Sequence, residues 1–265
     1  MRWAVLTILG LLCLGCEPEV EPDGRNESVG YRAGTSSDDY QSNGERGNIA
    51  ITEIHWAGSV RDSDGHYDPQ DVFIELQNKH PRPVHLTGWL LTIESGYHTE
   101  GLYHVRRSAR ASRTYVIPAR QSGQPVETND YLVIAAKADG AFSNADYIIE
   151  DLVIPKGPFE LTLQDLDERL IDHVGDDRKL PFAGSWDGHT ARSMERIQLI
   201  FNNRGNRDSA WHTYSLNDFD RGRRAGWHQE LRQYLNPDFA GRTMATPGMP
   251  NSPDYSGNTS SGSFE

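Results

Sequence analysis

Cysteine is nearly missing from this chain of 265 residues: Cys13 and Cys16 are the only two, and nothing after position 16 can form a disulfide within the chain. A domain built from the remainder must take its stability from a packed core. Long apolar runs are missing as well. The run at residues 3–14 covers 12 positions, short of the ~20 that span a bilayer, and fits the core of a signal peptide. Positive charge is in deficit, with 26 Lys and Arg against 38 Asp and Glu and a net charge of −12. That balance disfavours wholesale binding to nucleic acid or to an anionic membrane and leaves only local basic patches for such contacts. Catalytic signatures are lacking too: there is no Gly-x-Ser-x-Gly, no His-x-x-x-His and no Gly-rich loop opening a helix, and the ten His are scattered. Trp186-Asp187-Gly188-His189 comes nearest to a reactive cluster, but Asp-Gly is ordinary turn chemistry. The expectation is a protein that is not an enzyme, with no catalytic residues.

What the chain does have is strand patterning. Residues 49–54 read as a first strand at a sheet edge, with Ile49, Ile51 and Glu53 on one side and Ala50, Thr52 and Ile54 on the other. In residues 72–78, Val72, Ile74 and Leu76 alternate with Phe73, Glu75 and Gln77, so one face makes core while the other stays wet or pairs across strands. A polar turn with Pro81 and Pro83 leads into residues 84–91, where Gly88 marks a bulge or a close backbone approach beside Trp89. Further short strands are expected at residues 103–105, 114–117, 131–135, 147–149, 159–163 and 170–174, with a tight hairpin loop at residues 167–169. Gly, Pro, Asn and Asp separate them, which indicates a sandwich rather than βαβ units. The strongest helix candidate is short, residues 229–235, stopped by Asn236-Pro237. Trp89, Ile74, Leu76 and Leu132 are expected to share one core.

Three pieces in order carry a family resemblance: residues 51–59 (ITEIHWAGS), 73–78 (FIELQN) and 84–89 (VHLTGW). Together they resemble the lamin-tail domain, an immunoglobulin-like β-sandwich found in nuclear lamins and in exported bacterial proteins. Family members often carry Asn where Thr52 stands and Asp or Ser at His85 and Thr87; those departures leave the apolar pattern intact. Residues 193–197 (SMERI), Ala210-Trp211 and residues 245–251 (ATPGMPN) resemble the family's closing segments. The expected organisation is therefore a signal peptide at 1–15, a lipidated disordered tether at 16–47, a sandwich at 48–251 with an insertion at 213–242, and a polar tail at 252–265.

Gly15-Cys16 at the end of the apolar run resembles a bacterial lipobox, with Cys13 and Leu14 departing from its usual residues. The resemblance implies lipid on Cys16, export and membrane anchoring, with Glu17 favouring the outer membrane of a two-membraned cell. Ordinary cleavage near Gly15, leaving Cys16 a free thiol, is the alternative. Residues 17–47 hold too few apolar side chains to bury and read as a tether with a random-coil span of ~30 Å.

Two loops are candidate binding sites. Asp62, Asp64, Asp68 and Asp71 surround Gly65, and calcium takes several carboxylate oxygens, although the stretch lacks the terminal Glu of an EF-hand and also reads as a solvated turn. Arg106, Arg107, Arg110 and Arg113 are expected at a loop tip, with Arg221, Arg223 and Arg224 beside Trp227 and His228 as a second basic patch. Arg forks suit phosphate and other anions, while pairing with nearby carboxylates is the plainer role. The resulting expectation is a non-catalytic, lipid-anchored binding or scaffolding module of the cell envelope whose partner is a protein or an anionic glycan, not nucleic acid. An exported, nuclease-like hydrolase or an accessory subunit of one is the alternative, since lamin-tail domains are often fused to secreted nucleases.

Overall fold

The computed structural model describes residues 47–96, 111–120, 123–197, 205–215 and 235–252. These residues form an all-β sandwich. Its larger sheet has six strands in the order β14-β13-β1-β4-β7-β8, and its smaller sheet has four in the order β10-β9-β5-β6. In chain order the larger sheet takes β1 (Ile49–His55), β4 (Phe73–Asn78), β7 (Tyr131–Ala135), β8 (Tyr147–Ile148), β13 (Met194–Arg196) and β14 (Trp211–Thr213). The smaller takes β5 (Leu90–Ser95), β6 (Ala111–Val116), β9 (Phe159–Gln164) and β10 (Leu170–Asp176). A hairpin of β2 (Ser59–Val60) and β3 (Tyr67–Asp68) and a three-stranded piece of β11 (Ser185–Trp186), β12 (Ala191–Arg192) and β15 (Thr243–Met244) complete it. Pairing is antiparallel except between β7 and β8 and between β12 and β15. Among the described residues the helical content is one 3-10 turn, Asp208–Ala210.

Between the two sheets lies a core in which Trp89, Ile74, Leu76 and Leu132 are all buried, with Ile49, Ile51, Ile54, Leu91, Leu161, Leu163 and Trp211 around them. Each fully buried aliphatic or aromatic side chain contributes ~1.5–3 kcal/mol, and the sum replaces the missing disulfides. Gly88 stands where the chain turns into β5, at φ +82, and a Cβ there would lie 2.7 Å from Leu166 Cδ2. The turn forces glycine here; the strand expected to begin at Val84 starts only at Leu90, with Val84 making an isolated bridge to Val126.

Strand β1 corrects the expectation of an edge. It runs between β13 and β4, and its register with β4 slips between Ile51 and Glu53. The slip is a bulge at Thr52: one extra residue lets Ile49, Ile51 and Ile54 all face the core and turns Glu53 to the opposite side. Groups around the bulge find partners outside the ladder. The Ile51 N–H donates to Asp172 Oδ2 (2.8 Å), Arg196 Nη1 donates to the Ile51 carbonyl (3.0 Å), and Asn251 Nδ2 donates to the Thr52 carbonyl (2.9 Å). Asp172 and Arg196 form an ion pair at 2.5 Å, both buried, tying β10 of one sheet to β13 of the other.

The face of β4 expected to stay wet or to pair across strands is also buried. Phe73 and Glu75 are fully covered and Gln77 nearly so. Phe73, Val133 and Ala135 form a second core with Ala141, Phe142, Leu235, Phe239 and Ala245. The larger sheet is thus covered on both faces, inside by its partner sheet and outside by the 141–145 loop and the C-terminal segment. The end of the stretch expected as an insertion, Leu235 and Phe239, is part of that cover. Residues 167–169 do form the hairpin loop between β9 and β10: Asp165 Oδ1 accepts from the backbone of Asp167 (3.0 Å) and Arg169 (2.9 Å), and Glu168 takes φ 59. The strand expected at 103–105, the tether apart from Gly47, the tail apart from Ser252 and the helix at 229–235 apart from Leu235 lie outside the described residues.

Candidate functional site

Three titratable side chains meet on the outer face of the larger sheet, where Glu53, Glu75 and Glu195 come from adjacent strands. The ladder sets Glu53 opposite Glu195 on one side and opposite Glu75 on the other. All three are fully buried. Such side chains survive burial only when their oxygens are hydrogen-bonded, and here the donors come from the closing segment, residues 245–252. Thr246 N–H donates to Glu53 Oε1 at 2.9 Å, Gly248 N–H to Glu75 Oε2 at 2.7 Å, and Ser252 N–H to Glu195 Oε2 at 3.0 Å. Hydroxyls add to this: Thr52 Oγ1 donates to Glu75 Oε1 at 2.6 Å, and Ser252 Oγ donates to Glu195 Oε2. Asn251 Nδ2 bridges the carbonyls of Thr52 and Arg196 at 2.9 and 2.8 Å.

Burial pushes Glu53 up to about 7, against weaker opposing hydrogen bonds from Thr246. Burial, and then the neighbouring Glu53, raises Glu75 and Glu195 well above the ordinary carboxyl range. His212 on β14 places Nε2 3.6 Å from Glu195 Oε2. A set of carboxyls with raised affinity for protons has the electrostatics of an acid–base site. Its accessibility is that of a core, and its hydrogen bonds hold a chain segment in place. Sequence reasoning singled out ITEI, FIEL, SMER and ATPG as separate pieces without seeing that each places a residue in this cluster. The available signal was a Glu at the centre of three apolar strands, combined with a closing segment offering Thr, Gly, Asn and Ser and no charge.

The four aspartates proposed for calcium are not gathered. Asp62 Oδ2 accepts from the Gly241 N–H (2.7 Å), Asp64 caps the turn at the His66 N–H (2.9 Å), and Asp68 pairs with Lys137 and accepts from the Gln70 N–H (3.0 Å). Asp71 is buried and accepts from Ser59 Oγ (2.5 Å) and the Ala141 N–H (2.7 Å). Each carboxylate thus has donors of its own, and among the described residues no group of three His, Cys, Asp or Glu is placed to hold a metal ion. Gly140 packs against Asp71 so closely that a Cβ would lie 2.4 Å from Oδ1.

Arg113 belongs to strand β6, opposite Ile93, rather than to a loop tip; the sheet holds its backbone while its side chain is exposed. Arg106, Arg107 and Arg110 lie outside the described residues, as do Arg221, Arg223, Arg224 and Cys16. Asp187 caps its own turn, accepting from the N–H groups of Thr190 (2.7 Å) and His189 (2.8 Å), and these bonds hold it down at about 2. The Trp186 ring stacks on Tyr67 at 4.0 Å, with Lys156 Nζ 4.4 Å from the Tyr67 ring centre. No protein-family model matches the chain, and no curated protein matches it either.

Proposed function

We propose that this chain is a lipid-anchored binding or scaffolding module of the bacterial cell envelope, built on a lamin-tail-like domain and working without catalysis. The observation that carries the reading is the use made of its most chemically capable groups. Glu53, Glu75 and Glu195 are enclosed beneath residues 245–252, and their oxygens are taken up by Thr246, Gly248 and Ser252. Four of the pieces that resemble lamin-tail domains (ITEI, FIEL, SMER and ATPG) supply those residues, a shared structural reason for their presence. Anchoring rests on Gly15-Cys16 after the 12-residue apolar run. A diacylglycerol with an amide-linked acyl chain supplies the more-than-one-chain attachment that stable membrane binding needs. The partner is a protein or an anionic glycan of the envelope, met by the basic stretch that contains Arg113.

The test is a Cys16→Ser variant, followed by capture of envelope components on the immobilised chain. Cys16→Ser is expected to move the protein to soluble fractions and to abolish palmitate labelling; retention of both refutes anchoring. Replacement of Arg106, Arg107, Arg110 and Arg113 by Gln is expected to remove the captured material and to leave the melting temperature unchanged. Capture that survives the replacement assigns binding to another surface.

A further inference from the structure

We propose that residues 245–252 are a proton-dependent latch: one proton shared between Glu53 and Glu195 through Thr246 holds the segment on the sheet, and loss of that proton loosens it. The inference goes beyond the proposed function and does not depend on it. It starts from counting hydrogens. Thr246 Oγ1 lies 2.9 Å from Glu53 Oε2 and 2.9 Å from Glu195 Oε1. A hydroxyl carries one hydrogen and can donate to one of these oxygens only. The second contact needs a hydrogen of its own, so one of the two carboxyls is protonated and donates to Thr246. With both ionised, two anions would face one hydroxyl inside the protein, and like charges there are not both tolerated.

The surrounding groups do not compensate. Facing the pair are Glu75 on β4, His55 on the same side of β1, His212 on β14, Tyr214 just beyond it and Arg192 on β12. Burial raises the proton affinity of Glu75, lowers that of His55 to about 4 and raises that of Tyr214 so that it stays neutral, and none of the three supplies positive charge. Arg192 acts on Tyr214 and Asp187. His212 approaches Glu195 from one side, but its Nδ1 is engaged with the Thr213 carbonyl at 3.1 Å. The closing segment itself carries no ionisable side chain. Its attachment therefore depends on the carboxyl protons.

The sign follows from linkage. Glu53 binds its proton more tightly folded, at about 7, than at its ordinary value of 4.5. The stabilisation is complete below 4.5 and is lost as pH rises through 7. His55 works in the opposite direction below 6.5; that contribution belongs to the stability of the whole domain and cancels when protection of the segment is taken relative to a core strand.

The experiment is amide hydrogen exchange on the full chain between about pH 5 and 8.5, corrected for intrinsic exchange, with Leu161 and Leu163 of β9 as internal references. Protection of Thr246, Gly248 and Ser252 relative to β9 is expected to fall as pH rises from about 5 to 7, by up to about tenfold per pH unit for each linked proton. In Glu53→Gln the side-chain amide donates permanently to Thr246 Oγ1, and the slope is expected to fall by the share of one proton while β9 stays protected. Glu195→Gln supplies the same hydrogen from the other side and is the second variant should the first not fold. A flat profile in the unaltered chain overturns the latch, and so does a slope that is undiminished in the Gln variants.

Discussion

The ion pair of Asp172 and Arg196 offers the sharpest test of how the two sheets are joined. Asp172 Oδ2 accepts from Arg196 Nη1 at 2.5 Å and from the Ile51 N–H at 2.8 Å, while Oδ1 accepts from the His173 N–H at 2.9 Å. Relative exposure of the two side chains is 6% for Arg196 and 11% for Asp172, so neither has water to fall back on. Asp172→Ala strands a buried guanidinium, at a cost of about 3–5 kcal/mol. It also orphans the Ile51 N–H, which adds ~1–3 kcal/mol. Against a total of ~5–15 kcal/mol, that is enough to leave the domain barely folded. Arg196→Met removes the other partner, yet Asp172 keeps two backbone donors, so its cost should be smaller. In the double variant no charge is left unpaired, and its cost should fall short of the sum of the single costs by about 1–3 kcal/mol. Urea unfolding followed by tryptophan fluorescence at neutral pH gives all four corners of the cycle. Single costs that add to within ~0.5 kcal/mol would show that the pair is not what couples the bulge of β1 to β10.

Trp89→Ala is expected to cost ~3–5 kcal/mol, because the indole is fully buried between the sheets; an unchanged melting temperature would contradict its place in the core. Calcium added or chelated should not move the melting temperature, since Asp62, Asp64, Asp68 and Asp71 are already taken up by separate donors; a calcium-dependent rise would restore that stretch as a binding site. Gly140→Ala should destabilise by ~1–3 kcal/mol, as its Cβ would press on the Asp71 carboxyl, and wild-type unfolding of this variant would mean that the 141–145 loop yields freely.

Much of the sandwich could be read from alternation alone. Strands β4, β7 and β9 are where Val, Ile, Leu and Phe recur at every second residue, because period two is enforced by a pleated backbone. Strand β1 broke the rule at a single residue: the Thr52 bulge shifts the phase, and counting by twos groups Glu53 with Ile49 and Ile51. A bulge has no composition of its own when no glycine marks it. The second covered face was hidden for another reason. Phe73, Glu75 and Gln77 look like the half-polar face of an ordinary strand, and they are buried only because a distant segment lies across them, with 173 positions between Glu75 and Gly248. Local pattern carries no information about such a contact. The aspartates of the 61–71 stretch misled in the opposite sense: closeness in sequence suggested one shared ligand, whereas each carboxylate turned toward a different donor.

The central position of β1 also governs how the chain can reach its native state. The first strand to be made joins β4 early, but its other edge meets only β13, and its Glu53 waits for Thr246, 193 residues further on. Closing so long a loop before any reward is received makes folding slow, on the millisecond-to-second scale of non-local β proteins. Until then the nascent chain carries an unpaired strand edge and an uncovered aromatic face, the surfaces that holding chaperones bind and that otherwise aggregate. The order of strands thus keeps the described part of the chain extensible until its last segment arrives.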